Sequence, residues 1–449
     1  MRGAATRSKT APLPTVQSTW TIEGGAPLRG EIAVSGAKNS ITKLLVASML
    51  SDQPSHFANV PDIGDRHITQ EMCESVGARF KSESAHRLEV HTPSFTSDEI
   101  IKELGNRNRL AIMMMGPLLH RRGRALIPAA AGGDQIGPRP VNFHLEGVKK
   151  MGARVRTEGG LYVIEADGLH GAEIELPYPS VTTTENLLMT ATLAKGRTTI
   201  RNAAIEPEVM DLVIYLQKMG AIIDYKVDRT FVVEGVGTLT GASHRLLPDR
   251  IVAASLGAAA VATGGDVFVK NARQQDLLTF LNTLRRVGGL FEVQEDGIRF
   301  FHNGTLKAIH LETSVHPGFM TDWQSPFLLL LTQAEGMSVV HETVFEDRFG
   351  YVSALQLMGA EIALFDSCLG HRCRFDASQY QHSAVIKGPT QLEAAQITVP
   401  DLRAGFTYLI AAIMAKGKST IHGIGHITRG YENLESSLRS LGARIEAVK

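Results

Sequence analysis

Two phrases of apolar and polar residues alternate along the whole chain. The first is an amphipathic run, then an apolar residue, a glycine, a small residue and a β-like stretch. It occurs at Val76-Gly77-Ala78, Met151-Gly152-Ala153, Met219-Gly220-Ala221, Val287-Gly288-Gly289, Met358-Gly359-Ala360 and Leu441-Gly442-Ala443. The copies recur roughly every 70 residues, the mark of a copied structural unit. The pattern predicts a helix closed by a left-handed glycine and followed directly by a strand. The second phrase is a small-residue-rich apolar helix, a turn and a strand. Its clearest copies are Leu187-Leu-Met-Thr-Ala-Thr-Leu-Ala-Lys-Gly-Arg-Thr-Thr-Ile and Tyr408-Leu-Ile-Ala-Ala-Ile-Met-Ala-Lys-Gly-Lys-Ser-Thr-Ile, with weaker ones near Leu44, Ile112, Ser255 and Pro326. Helices apolar nearly all round are expected to be buried. The other helix of each unit carries a single apolar stripe, such as Tyr431, Leu434, Leu438 and Leu441, and is expected to be half exposed.

Length and charge narrow the picture. A chain of 449 residues is too long for one core, and six such units divide into three plus three. Lys+Arg and Asp+Glu stand at 46 each, so no basic field points to nucleic acid. No apolar run reaches the roughly 20 residues that span a bilayer. Residues 1–19 are rich in Ala, Thr, Ser and Pro and lack an apolar core segment, so a disordered extension is expected rather than a secretory signal. Three cysteines suggest a reducing, cytoplasmic setting. Cys368 and Cys373 flank His371, but the spacing is not Cys-x-x-Cys and no fourth ligand is evident. That segment is read as a loop, with no metal expected.

Candidate chemistry clusters at the repeat junctions. Lys38 and Asn39 stand where a strand turns tightly into a helix. A lysine there makes an anion site with the free backbone N–H groups, although a solvated lysine looks the same. Gly132–Leu145 is a Gly/Pro-rich loop entering a helix. It brings Asp134, Arg139 and His144 close together, His144 reading equally as a helix-start residue bonded to backbone. Asp322 precedes a buried helix and could simply cap it. Arg348, Arg403 and Arg429 stand at further junctions. Singly they suggest surface ion pairs; together they suggest guanidiniums converging on a polyanion.

These phrases together resemble the enolpyruvyl transferases, in their sugar-nucleotide branch. The resemblance rests on Ser35-Gly-Ala-Lys-Asn39, the Gly-Gly-x-x-Ile-Gly-x-Arg-Pro loop from Gly132 with its His144, Thr184-Glu-Asn186, Glu206-Pro-Glu208 and Pro248-Asp-Arg250. It continues through Thr321-Asp322, Thr343-Val-Phe-Glu-Asp-Arg348, Asp401-Leu-Arg403 and Arg429-Gly-Tyr-Glu432, in order from about residue 20 to the C-terminus. The resemblance implies an α/β fold of two similar domains, each of three β-α-β-α-β-β units in an inside-out α/β barrel. Residues 38–247 would form one domain. Residues 20–37 with 248–449 would form the other, a catalytic loop at about 129–139 closing over the cleft.

The activity it implies is transfer of the enolpyruvyl group of phosphoenolpyruvate to the 3-hydroxyl of UDP-N-acetylglucosamine. Phosphate is released, no metal or redox cofactor is needed, and the product enters peptidoglycan synthesis. That chemistry needs an acid at C3, a base at the hydroxyl and fixed cations. The resemblance names Asp134, Asp322, Lys38, Arg429 and Asp401 as catalytic. It puts Lys38, Asn39, Arg139, Arg348, Arg403 and Arg429 around phosphoenolpyruvate. Asn39, Arg109, Arg139, Pro140, Val141, Asn142, Phe143, Ser180, Val181, Asp322 and Val344 would contact the nucleotide sugar, with Asp322 as the base.

Several positions depart from the family. Asp134 stands where most members carry Cys, so a carboxyl must serve as the acid and fosfomycin, which alkylates that thiol, should form no adduct. Asn142 replaces an Asp, and Tyr178-Pro-Ser180-Val181-Thr182 replaces Lys-x-Ser-Val-Gly, removing a cation from the diphosphate region. Ala129-Ala130-Ala131 lengthens the loop. These changes leave open a different nucleotide sugar or a binder without activity. The Arg-Pro-Val-x-x-His loop disfavours a shikimate-phosphate acceptor, and the neutral charge disfavours RNA chemistry.

Overall fold

The computed structural model describes residues 18–129, 137 and 140–448. All six repeat glycines, from Gly77 to Gly442, take positive φ between 96° and 118°. Each follows a helix and precedes a strand, a conformation that costs a β-carbon-bearing residue roughly 1 kcal/mol or more. Local backbone chirality therefore ends six helices at equivalent places.

The complete unit is plainest in the order strand Glu173–Glu175, helix Val181–Ala191, strand Arg197–Arg201, helix Pro207–Lys218, strands Ile222–Lys226 and Thr230–Glu234. Among the described residues the strands form six sheets, five of four strands and one of three. Two sheets are completed by residues from far along the chain. Ser243–Arg245 pairs in parallel with Ser55–Ala58, and Arg29–Ala33 pairs in parallel with Asp266–Lys270. A third takes Thr19–Glu23 between Lys418–His422 and Arg444–Val448, antiparallel to both. Thr19, the last residue of the expected extension, thus opens a strand; residues 1–17 lie outside the described residues.

The apolar helices are buried as their composition demands. Gln324–Leu331 is buried at every position. Lys38–Ser48, Val181–Ala191, Arg250–Ala262 and Leu402–Met414 are buried over nearly their whole length. They gather into two apolar clusters. One holds residues from Ile41 to Leu246; the other holds Trp20 to Val34 together with Ile251 to Ile445. Of the stripe Tyr431, Leu434, Leu438 and Leu441, only Leu434 and Leu438 lie within the last helix, Leu434–Ser440. Tyr431 precedes it and stacks on Phe406, ring centroids 4.9 Å apart.

The two clusters meet where the chain passes between them. Asp249 caps the helix Arg250–Ala262 through Ile251 and Val252 N–H at 2.8 and 3.0 Å, and also accepts the Lys38 backbone N–H at 3.0 Å. One carboxylate thereby sets the starts of two inner helices side by side. Arg250 then forks onto buried Glu208 at 2.9 and 3.0 Å, a pair whose dissection leaves an uncompensated buried charge.

Candidate active site in the central cleft

Residues from the chain segments that carry both clusters line a cavity of about 380 Å³. Lys38, at the start of its helix, and Arg429, at the end of the 3-10 turn Ile424–Arg429, converge on Asp65 in the first turn of helix Gly64–Ser75. Lys38 Nζ lies 2.9 Å from Asp65 Oδ2, and Arg429 Nε lies 2.9 Å from Oδ1. Burial alone would raise the Asp65 carboxyl, but the ammonium and the guanidinium outweigh it and hold it below the usual carboxylate range. Two oriented cations thus share the Asp65 carboxylate, an arrangement that an incoming polyanion can engage.

Opposite stands Asp322, in the 3-10 turn Thr321–Trp323. Its Oδ1 accepts from Arg348 Nη2 at 2.7 Å, and its Oδ2 lies 3.5 Å from Arg403 Nε. Both guanidiniums are only 4% exposed. Glu342 fixes the surrounding backbone by accepting from Val344 N–H, Phe345 N–H, Thr321 Oγ1 and Gln324 Nε2 at 2.8–3.2 Å. Asp322 is the bridging anion between two buried cations rather than the N-cap residue of either helix beside it.

A third wall comes from Arg109, Pro140, Val141, Phe143, Ser180, Val181 and Thr182. His144 belongs to the same wall, its ring nitrogens 3.0 Å from Asn186 Nδ2 and 3.4 Å from Thr182 Oγ1. Burial, with Arg109 nearby, pushes its pKa down to about 3, so the imidazole is neutral. Its partners are side chains, not the backbone expected for a helix-start residue.

The cavity therefore unites Lys38, Asn39, Arg109, Pro140, Val141, Phe143, Ser180, Val181, Asp322, Val344, Arg348, Arg403 and Arg429. It does not include two other candidates. Asp401 caps helix Leu402–Met414, accepting Arg403 and Ala404 N–H at 2.9 and 3.0 Å; it reaches the site only by holding the turn that carries Arg403. Asn142 is exposed at the start of its helix, facing away from the lining. Asp134 and Arg139 lie outside the described residues. Gly137, between them in sequence, packs so closely on Glu346 that a β-carbon would come within 2.4 Å of its carboxylate.

Sequence reasoning missed Asp65 and Arg374. The only signal for Asp65 was an acid in the first turn of a helix. Arg374 follows Cys373 in the segment read as a plain loop. Its guanidinium lies 4.4 Å above the Tyr178 ring and also reaches the Val344 carbonyl and Glu346. A cation thus stands beside the position where the resemblance expects a lysine. Tyr178 is half-buried, and that desolvation pushes its phenol up to about 12.

Beneath the floor, Glu185 is fully buried, with Lys43 Nζ 3.6 Å away and no hydrogen bond to either carboxylate oxygen. Burial pushes it up to about 7, Lys43 opposing and Glu208 and Glu206 assisting. Between the unfolded carboxyl's pKa and about 7 the folded chain keeps a proton that the unfolded chain releases. This contribution to stability is complete below that window and lost as pH rises through it. Relative to wild type, Glu185→Gln should therefore gain on the order of 3 kcal/mol from pH 4.5 to pH 8. Chemical-denaturation midpoints across that range test this, and parallel profiles for the two proteins would refute it.

A family model described as EPSP synthase (3-phosphoshikimate 1-carboxyvinyltransferase) matches residues 22–438. Over 436 residues the chain is 48% identical to the UDP-N-acetylglucosamine 1-carboxyvinyltransferase of Protochlamydia amoebophila, covering 95% of this chain and 94% of that protein. Over 432 residues it is 49% identical to the protein of the same name from Chlamydia abortus, covering 95% and 97%. Among solved structures it resembles the enolpyruvyl transferase NikO from Streptomyces tendae, with a TM-score of 0.85 at 23% identity over 96% of this chain and 99% of that one. That likeness speaks to the fold.

Proposed function

Since this chain belongs to the UDP-N-acetylglucosamine 1-carboxyvinyltransferases, within the EPSP synthase family, we propose how its cleft residues divide the work of that reaction. The chain is a transferase. It moves the enolpyruvyl group of phosphoenolpyruvate to the 3-hydroxyl of UDP-N-acetylglucosamine and releases phosphate, opening peptidoglycan synthesis. Among the described residues no helix is long and apolar enough to cross a membrane, and we place the reaction in the cytoplasm.

In our reading, residues 38–247 form one lobe and 20–37 with 248–449 the other, with the substrates between them. Lys38 and Arg429 hold the phosphoenolpyruvate phosphate, with Arg139 joining from the loop, and Asp65 keeps the first two aimed while the site is open. Arg348 and Arg403 face the carboxylate. Asp322 takes the proton of the sugar 3-hydroxyl as its oxygen bonds to C2. Asp134, in place of the family's usual Cys, gives C3 its proton. The tetrahedral adduct then loses phosphate from C2 and a proton from C3, leaving the enol ether. Cations already in place cost no reorganisation as charge develops. Arg109, Asn39, Pro140, Val141, Phe143, Ser180, Val181 and Val344 seat the nucleotide sugar. Asn142 is at the rim, and Asp401 acts by positioning Arg403. Arg374 supplies the diphosphate with the charge that Tyr178 lacks.

One observation carries this reading: the Lys38–Asp65–Arg429 and Arg348–Asp322–Arg403 triads face the same cavity. The test is phosphate release from phosphoenolpyruvate with and without UDP-N-acetylglucosamine, with the product mass checked. Sugar-dependent release with an enolpyruvyl-adduct mass is expected. Release only with a different nucleotide sugar would reassign the acceptor, and tight binding without release would make the chain a binder.

A further inference from the structure

Away from the cleft, four side chains with soft or borderline donor atoms meet beneath the loop 366–382. We propose that His341, Cys368, Cys373 and His382 form a tetrahedral site for a zinc-class divalent cation, which fastens this loop to the sheet. One donor atom of each residue lies within 4.8 Å of all the others. Cys368 Sγ is 3.6 Å from Cys373 Sγ and 3.4 Å from His382 Nε2. Zinc bonds of about 2.3 Å to sulfur and 2.0–2.1 Å to nitrogen, at tetrahedral angles, place sulfurs about 3.8 Å apart and sulfur and nitrogen about 3.5 Å apart. The Cys368–Cys373 and Cys368–His382 pairs already stand near those separations, and His341 lies within 4.8 Å of all three.

The hydrogen bonds around the site point the same way. His341 is 1% exposed and its Nε2 has no hydrogen-bond partner; a buried ring nitrogen left so is unfavourable unless something takes its lone pair. Its Nδ1 lies 2.9 Å from Glu312 Oε2, the carboxylate–imidazole arrangement that orients metal-bound histidines. His382, wholly buried, has Nδ1 2.8 Å from the Tyr380 carbonyl, which leaves Nε2 turned to Cys368. Two thiolates balance a dication, and an S₂N₂ set of this shape selects zinc over oxygen-seeking magnesium or calcium. Binding would release the two thiol protons.

The loop has reason to need such a fastening. Residues 366–382 join strands Glu361–Phe365 and Ser383–Gly388 with no helix or strand of their own, a length at which unstructured loops are uncommon. Arg374, next to Cys373, is the residue that reaches over Tyr178, so a metal here braces one wall of the cleft.

The test is the zinc content of the full-length protein, purified without chelators under reducing conditions and passed through metal-free buffer. About one zinc per chain is expected, falling below about a tenth in Cys368→Ser/Cys373→Ser. Cobalt loaded into the stripped wild-type protein should give thiolate-to-cobalt charge transfer and intense visible bands of tetrahedral geometry. This second measurement stands even if the variant fails to fold. No retained zinc and no such cobalt spectrum would overturn the proposal. So would zinc that persists in the double variant, or a Cys368–Cys373 disulfide in the freshly reduced and repurified protein.

Discussion

Asp322→Asn should lower kcat by about 10²–10⁴-fold, the usual contribution of a positioned general base, while nucleotide-sugar affinity changes little. Asn keeps the shape and one carbonyl acceptor for Arg348 Nη2, now 2.7 Å from Oδ1, but it cannot take a proton from the sugar. The same change removes the anion that separates two guanidiniums, each 4% exposed. With one neighbouring anion fewer, they should bind phosphoenolpyruvate no more weakly than before. It should also destabilise the unliganded protein, a loss that phosphoenolpyruvate restores by binding the folded state. Steady-state kinetics, calorimetric titration with UDP-N-acetylglucosamine and melting curves with and without phosphoenolpyruvate read these three effects. A kcat within about tenfold of wild type would take the base role from Asp322.

The parts of this protein that were legible in its sequence are those fixed by local chemistry. Gly77 and its five equivalents announce themselves because a positive φ after a helix admits few other residues. The buried helices are legible because a small, apolar surface on every side leaves no face for water. What crosses between segments was not legible. Asp65 reads as an ordinary first-turn acid until folding brings Arg429 to it from 364 residues away. Tyr431 has the right spacing for the last helix stripe, but Leu434 starts that helix and Tyr431 stacks on Phe406 instead. The same holds for the cysteines. Cys368 and Cys373 look like a loop with too few partners, because His341 joins them only through antiparallel pairing that sets it opposite Ser383, one residue past His382. Asp401 is a further case: nothing in the Asp-Leu-Arg phrase announces that its carboxylate caps the helix carrying Arg403.

Asp134→Ala should abolish turnover while leaving nucleotide-sugar binding largely intact. In addition, wild-type protein should gain no fosfomycin adduct, whereas Asp134→Cys should gain one with time. All three outcomes follow from asking a carboxyl to do a thiol's work. The proton delivered to C3 must come from the protonated form, and an isolated Asp, with a pKa near 3.9, holds little of it at neutral pH; an isolated Cys near 8.5 holds nearly all. In the proposed mechanism, closure of a desolvated site around the phosphate and carboxylate of phosphoenolpyruvate would favour the neutral acid, and Arg139 in the same loop would oppose it. Because the acid starts from a lower value, the alkaline limb of the kcat profile should fall at lower pH in wild type than in Asp134→Cys. On the proposed assignment, removing the carboxyl takes away the donor at C3, so addition stops even though Lys38, Arg348, Arg403, Arg429 and the proposed sugar-binding wall remain. The inhibitor's epoxide needs a strong nucleophile, and a thiolate provides it where a carboxylate does not. Intact-mass spectrometry over time, with pH profiles of both proteins, reads the outcome. Near-normal turnover in Asp134→Ala would remove this residue from the reaction, and a wild-type adduct mapped to residues 129–139 would show that a side chain other than a thiol opens the epoxide.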